Sequence, residues 1–421
     1  MSSSNNRPVH RLLRTCLPAF ILLVALPTPP AIADADPEHH AEIGARVRYT
    51  QVKEGERDGR ATSIKIRAAL DSRWTQLYST LLEVDGVATG LQDSHSDGVR
   101  FNGKPIIPDV PGAEINQAWL RWQSGQWQFT GGRQRLEWDN QRFLGSVDSW
   151  QNDQTFDAIA AGYRFLFQSR LRYAYIGNVN RPWGDDADES LEHSSSLYDA
   201  WDGVRPPAWW GDHRHNTHLL QAEFREWDYL SALVHYQHID NRDLPSDSNN
   251  TLGAGLRFKF KPGNIKYLTE FDAALQQRTQ LSDSPTTHYY RLQAGLEWRS
   301  AEFSLQQEVL SSSDNIAFIT PLGSNDKFQG WAEVFYRTPN GGIVDTRAQL
   351  DWRIHPWRID LRYHQFDSEA SGDALGSEVD LDLIFRITKK QTLWLRLADF
   401  NADHPGEEDV SRATVNWSYG L

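Results

Sequence analysis

The chain is poor in what most soluble enzymes rely on. It has a single cysteine, Cys16, and a single methionine in 421 residues. With Cys16 inside an N-terminal leader, the remainder can form neither a disulfide nor a thiolate metal site. Beyond residue 33 there is no run of about 18 apolar residues, which excludes a bundle of membrane helices. No stripe of lysine and arginine free of acids occurs, and the formal net charge is -13, so nucleic acid is excluded as a partner. Neither G-x-S-x-G nor His-Glu-x-x-His occurs, and no nucleotide-binding or other cofactor motif is present, so an enzyme is not expected.

The leader itself is readable. Arg7, Arg11 and Arg14 precede the apolar run Leu17 to Leu26, and Ala31-Ile32-Ala33 offers small residues for cleavage. Residues 1–33 are expected to be a secretory signal, 34–43 an N-terminal periplasmic segment, and 44–421 one β-barrel domain.

What is abundant is aromatic. Trp, Tyr and Phe make up 12% of the chain, with 17 tryptophans, although the mean hydropathy is low at -0.60. A transmembrane barrel reconciles the two, because each strand dilutes an apolar lipid face with an equal number of polar inward residues, and aromatics gather at both interfaces. The pattern from Gly44 onward is a repeated unit of about ten alternating residues, a short turn, ten more, then a long loop. In Tyr290/Leu292/Ala294/Leu296/Trp298 and Val379/Leu381/Leu383/Phe385/Ile387 one face is unbroken apolar. Their alternates, such as Arg291, Gln293, Glu297 and Arg299, are polar or charged.

Eighteen such segments run from 44–52 to 412–421. A nineteenth, Gln329 to Arg337, alternates weakly, but counting it would put the short turns on the wrong side of the membrane. We therefore assign 311–341 to one outer loop. The fold class expected is all-β: a transmembrane antiparallel barrel of about 18 strands with short periplasmic turns and long extracellular loops, in the outer membrane of a Gram-negative cell. Lipid, lipopolysaccharide and the barrel-assembly machinery are its implied partners. The final strand closes on Leu421, where the assembly signal usually closes on Phe or Trp.

The interior would then inherit the charge. Arg67, Arg121, Arg164, Arg347, Arg353 and Arg362 fall on the polar side of their strands. Arg133, Arg135 and Arg142 follow Gly131-Gly132, a kink that could bend them into the lumen. Two accounts compete for every one of them: a ring of unpaired cations that selects anions, or a salt-bridged wall without selectivity. Asp185, Asp186, Asp188 and Glu189 could hold calcium, and His213, His215 and His218 another metal, yet a solvated loop and non-convergent histidines are the simpler accounts.

INQAWLRW (115–122), GRQRL (132–136), DNQRF (139–143) and QNDQTFDA (151–158), with FQGWAEVF (328–335) and LRLADFNAD (395–403), occur in this order. Together they resemble the alginate-export family of bacterial outer-membrane barrels. That resemblance implies a passive channel and makes Arg133, Arg135 and Arg142 the first candidates for pore-lining residues. It would suit an anionic polysaccharide such as alginate, with periplasmic export partners. The alternative is a general or substrate-specific porin for small organic solutes.

Overall fold

The computed structural model describes residues 37–166, 168–184, 187, 210–281, 284–404 and 407–421. Its first half carries β1 (Glu38–Glu54), β2 (Arg57–Arg73), β3 (Tyr78–Gly90), β4 (Gly112–Ser124), β5 (Trp127–Gln134), β6 (Thr155–Phe165), β7 (Ser169–Asn180), β8 (His213–Trp227) and β9 (Leu230–Ile239). The second half carries β10 (Asn249–Phe260), β11 (Ile265–Arg278), β12 (Thr287–Trp298), β13 (Ala301–Leu310), a small hairpin of β14 (Ser312–Ser313) and β15 (Ile316–Ala317), then β16 (Ile343–Ile354), β17 (Trp357–Asp367), β18 (Ala374–Arg386), β19 (Gln391–Ala402) and β20 (Val410–Tyr419). Apart from β14 and β15, these make one 18-stranded sheet. Each strand pairs antiparallel with its neighbour, and β20 returns to β1 through Ala45↔Tyr419 to Glu54↔Val410, so the sheet closes. Closure leaves no row of unpaired backbone groups facing lipid, which a bilayer would penalise heavily.

The molecule is inside-out relative to a soluble protein. Leu292 is 49% exposed and Leu296 41%, while Arg291 on the opposite face is 5% exposed. The same inversion holds for Leu256, Phe258 and Phe260 against buried Gly253 and Thr251. Near the short-turn rim the outward side chains are aromatic: Trp127 packs on Tyr163 with ring centroids 4.4 Å apart, and Trp122 lies 5.6 Å from Phe129. Rings with an apolar body and a polar tip suit the bilayer interface.

Connections are short at one rim, for example 125–126, 228–229 and 355–356, and long at the other, including 91–111, 135–154 and 311–342. The exception is the first outer connection. The region 53–60, between the first two expected strands, is a two-residue turn at 55–56 flanked by extended β1 and β2. The expected periplasmic segment is also shorter than the sequence suggests, because β1 begins at Glu38 and residues 38–43 pair with β2 from Glu38↔Arg73 onward. Glu42 and His40 carry no apolar alternation, but pairing with β2 needs only the backbone.

Two long loops fold inward and create dry cores inside the barrel. Phe318, Trp331, Ala332 and Phe335 of loop 311–342 pack against Tyr289, Phe366 and Phe400 of the wall. Leu136, Trp138 and Leu144 of loop 135–154 pack against Phe156, Ile176 and Leu219. The nineteenth alternating run is thus no strand: its apolar residues face wall side chains from within the lumen.

Candidate functional site

The structure sorts the candidate arginines into five environments. Arg67 and Arg135 belong to a lumenal ion cluster with Lys65, built on β2, β3 and the end of β5. Lys65 Nζ lies 2.7 Å from Asp85 and 3.3 Å from Asp153, and Arg67 is 2.6 Å from Asp85 and 2.7 Å from Asp153. Arg135 also meets Asp153 at 2.7 Å and pairs with Glu83. A bulge at Glu83/Val84 turns both Asn116 and Gln117 inward, and Asn116 donates to Glu83 at 2.8 Å and to Asp153 at 3.0 Å. Burial alone would raise the Asp153 carboxyl, but Lys65, Arg135 and Arg67 outweigh it and hold the group well below the usual carboxylate range. Glu83, Asp85 and Asp153 are close enough to ligate a metal ion. Three cations already occupy their oxygens, so the cluster reads as a mutually neutralised brace.

Arg142 does not line a water path. It is 2% exposed, 3.3 Å from Glu308 and 4.6 Å over the Phe328 ring, so it fastens loop 135–154 to loop 311–342 and the wall. Arg133 is a second correction. It pairs in register with Ala118, on the same face as outward Leu120, and bonds Asp157 at 2.8 Å. Gly132 does take a left-handed φ of 124°, and a Cβ there would collide with the Ala118 carbonyl, but the ladder keeps its register and Arg133 stays on the barrel exterior. The glycines admit close strand packing rather than an inward bend.

On β16 to β19 the arginines are mostly matched. Arg362 lies 3.0 Å from Asp360, and Arg353 lies 3.2 Å from Asp351, which also takes Arg358 at 2.6 Å. Arg347 makes no ion pair among the described residues but donates to Gln306 at 3.0 Å. This sector corresponds to the salt-bridged alternative.

The fifth environment is different. Arg121 of β4 and Arg164 of β6 make no ion pair among the described residues; Arg121 bonds the Thr130 hydroxyl at 3.2 Å and lies 4.3 Å over the Trp119 ring. Beside them stand Arg172 of β7, an inward cation by its strand's alternation, and Arg170 of β7 and Arg225 of β8, which the sequence reading did not select. All three share Glu223, at 2.5 Å from Arg170 and 3.8 Å from Arg172. Arg164 pairs directly across the strands with Arg170. Like charges opposite each other oppose sheet formation. Along β4 to β8, three arginines therefore share one carboxylate, and Arg121 and Arg164 add two further cations that make no ion pair among the described residues. Arg121, Arg164, Arg170 and Arg172 border a cavity of about 400 Å³ that Arg135, Glu137 and Trp138 also line, with the Trp138 ring 5.1 Å from the Arg172 guanidinium. The signal that would have found Arg170 was the short connection between β6 and β7, which makes residues equidistant from it face each other.

His213 and His215 are buried inward, while His218 faces outward and bonds Tyr173 at 2.7 Å, so the three do not converge. The acids Asp185, Asp186, Asp188 and Glu189 lie outside the described residues.

No protein-family model and no curated protein matches this chain, so the alginate-export resemblance gains no support from either. Solved structures do match. Acinetobacter baumannii OccAB4 superposes with a TM-score of 0.68 at 12% identity, covering 92% of this chain and 98% of its own. Pseudomonas aeruginosa OpdK, solved with vanillate, gives 0.65 at 11% identity over 90% and 98%. Pseudomonas aeruginosa OccK11 (OpdR) gives 0.64 at 12% identity over 90% and 95%. With its even strand number, closed ladder and apolar exterior, the chain is an eighteen-stranded β-barrel of the Gram-negative outer membrane and shares its architecture with these structures.

Proposed function

We propose that the protein is a passive channel for small organic anions. The observation that carries this reading is the excess of cations at a lumenal cavity lined by Arg121, Arg164, Arg170 and Arg172, of which only Arg170 and Arg172, with Arg225 beside them, reach Glu223. Arg164 opposite Arg170 costs the sheet rather than helping it, so a role outside folding accounts for its presence. In a narrow passage with low-dielectric walls, such a sector lowers the energy of a carboxylate, and Glu223 keeps the site from holding it too firmly. A polysaccharide needs a wide continuous duct, and the inward-packed loops 135–154 and 311–342 argue for solutes of modest size instead.

The test is reversal-potential measurement in planar bilayers under a salt gradient. Wild-type protein is expected to prefer anions, and Arg164→Gln with Arg170→Gln to lose most of that preference. Vanillate is a suitable probe: added to one side, it should reduce the current of the wild type more than that of the double variant. Cation preference in the wild type would refute the reading.

A further inference from the structure

One segment of loop 311–342 is attached to the wall in a manner unlike the rest. Phe318 and Phe335 are held by apolar contact; Trp331 and Ala332 share that core but are held in addition by polar contacts to the wall. The Glu378 carboxylate of β18 accepts the backbone N–H of Trp331 at 2.6 Å and of Ala332 at 2.7 Å, and Asp380 lies 3.4 Å from the same Trp331 nitrogen. The Trp331 ring lies between two wall guanidiniums, 4.2 Å from Arg362 and 3.9 Å from Arg396. Glu333 pairs with Arg412 of β20 at 2.9 Å and accepts the Trp150 indole N–H at 2.8 Å.

This attachment is conditional. Glu378 Oε2 and Asp380 Oδ2 are buried without a hydrogen-bond donor. Both carboxylates approach the Trp331 N–H, and Asp380 Oδ2 otherwise faces His364 Nε2 at 3.6 Å. The backbone is also unfavourable: Gln329 at φ 52° and Glu333 at φ 64° are left-handed without being glycine, and Gly330 lies between them at φ 82°. Non-glycine residues held there concentrate at clamps and switches. Arg362 and Arg396 keep 15% and 16% of their side chains exposed, so both already reach the water-filled side of the wall.

We infer that residues 329–333 are a gate, with Glu378 as its latch. When the two N–H bonds to Glu378 break, strain in the segment is released, Trp331 leaves its place between Arg362 and Arg396, and both guanidiniums join the conducting surface. The apolar anchors at Phe318 and Phe335 keep the rest of the loop in place, so the movement is local. This inference rests on the channel reading above.

Two variants break the latch from opposite sides. Glu378→Leu removes the acceptor oxygen that both N–H groups address, and Gly330→Ala places a Cβ into the Glu378 carboxylate and on an unfavourable φ. In single-channel recordings both are expected to move the ratio of high- to low-conductance dwell times about tenfold toward the high level. The double variant should add nothing further, because both act on one contact. Wild-type dwell ratios in both folded variants would overturn the gate and leave the channel reading intact. No current from any form would overturn the channel reading. Folding is read from heat-modifiable migration on gels. Should the variants not fold, amide exchange of the wild type decides: the Trp331 and Ala332 amides are expected to exchange faster than the Phe318 amide, which donates to Ser311 at 2.8 Å. Equal protection would overturn the gate.

Discussion

A guanidinium inside this barrel is either a brace or a probe for solute, and its neighbours decide which. Lys65 and Arg67 sit among Glu83, Asp85 and Asp153, so removing one cation leaves buried carboxylates unmatched. Lys65→Met is expected to destabilise the barrel by about 3–5 kcal/mol in guanidinium unfolding from detergent micelles. Arg164→Gln should do the reverse on a small scale, stabilising by about 0.2–1 kcal/mol, since it removes a like charge facing Arg170. A titration at Asp326 can be read the same way. Burial pushes its carboxyl up to about 6, with Ser149 donating to it in partial compensation. A folded pKa raised above the unfolded one means that the native state binds the extra proton between about pH 4 and 6, so stability falls as pH rises through that window and stays lower above it. Asp326→Asn should therefore stabilise the protein at pH 8 by about 1–3 kcal/mol and change little at pH 4, as measured by unfolding midpoints at the two pH values.

At the scale of the strand, the outward and inward sets differ in what they tolerate. Leu292 faces acyl chains and Gln293 faces the lumen, although they are adjacent in β12. Leu292→Arg should cost about 2–4 kcal/mol in vesicle-embedded unfolding, and Gln293→Arg far less. This asymmetry is also why the strands were legible in the sequence. Lipid demands apolar residues at every second position, so β10, β12 and β18 announce themselves, and the side of each short turn settles that 329–337 is not a strand. The lumen makes no comparable demand. Arg133 has the same local pattern as an inward residue, and its outward position follows from pairing with Ala118, a relation between strands. Arg142 looks like a free loop cation until Glu308 and Phe328, over a hundred and sixty positions away, are placed beside it. Residues 38–43 and the extended hairpin at 55–56 escaped notice because they reach past the lipid, where alternation stops being enforced.

For the whole molecule, the decisive quantity is where matched and unmatched charges lie around the circumference. Arg257, for instance, meets Asp139 at 2.9 Å and Asp272 at 2.7 Å, whereas Arg121 across the lumen has no acid among the described residues in ion-pair range. Any anion preference generated by the β4 to β8 sector acts over the width of a pore, and the Debye length falls from about 10 Å at 0.1 M salt to about 3 Å at 1 M. Permeability ratios should therefore be largest in dilute salt and decline steeply toward 1 M, a dependence that a channel selecting by size alone would not have. Because the cation excess lies on the β4 to β8 arc while the arginines of β16 to β19 are mostly matched, the field inside has a sideways component. A solute with an acid at one end and a plain ring or alkyl tail at the other would be turned as it enters, head toward β6 and β7, and would cross the membrane in a fixed posture.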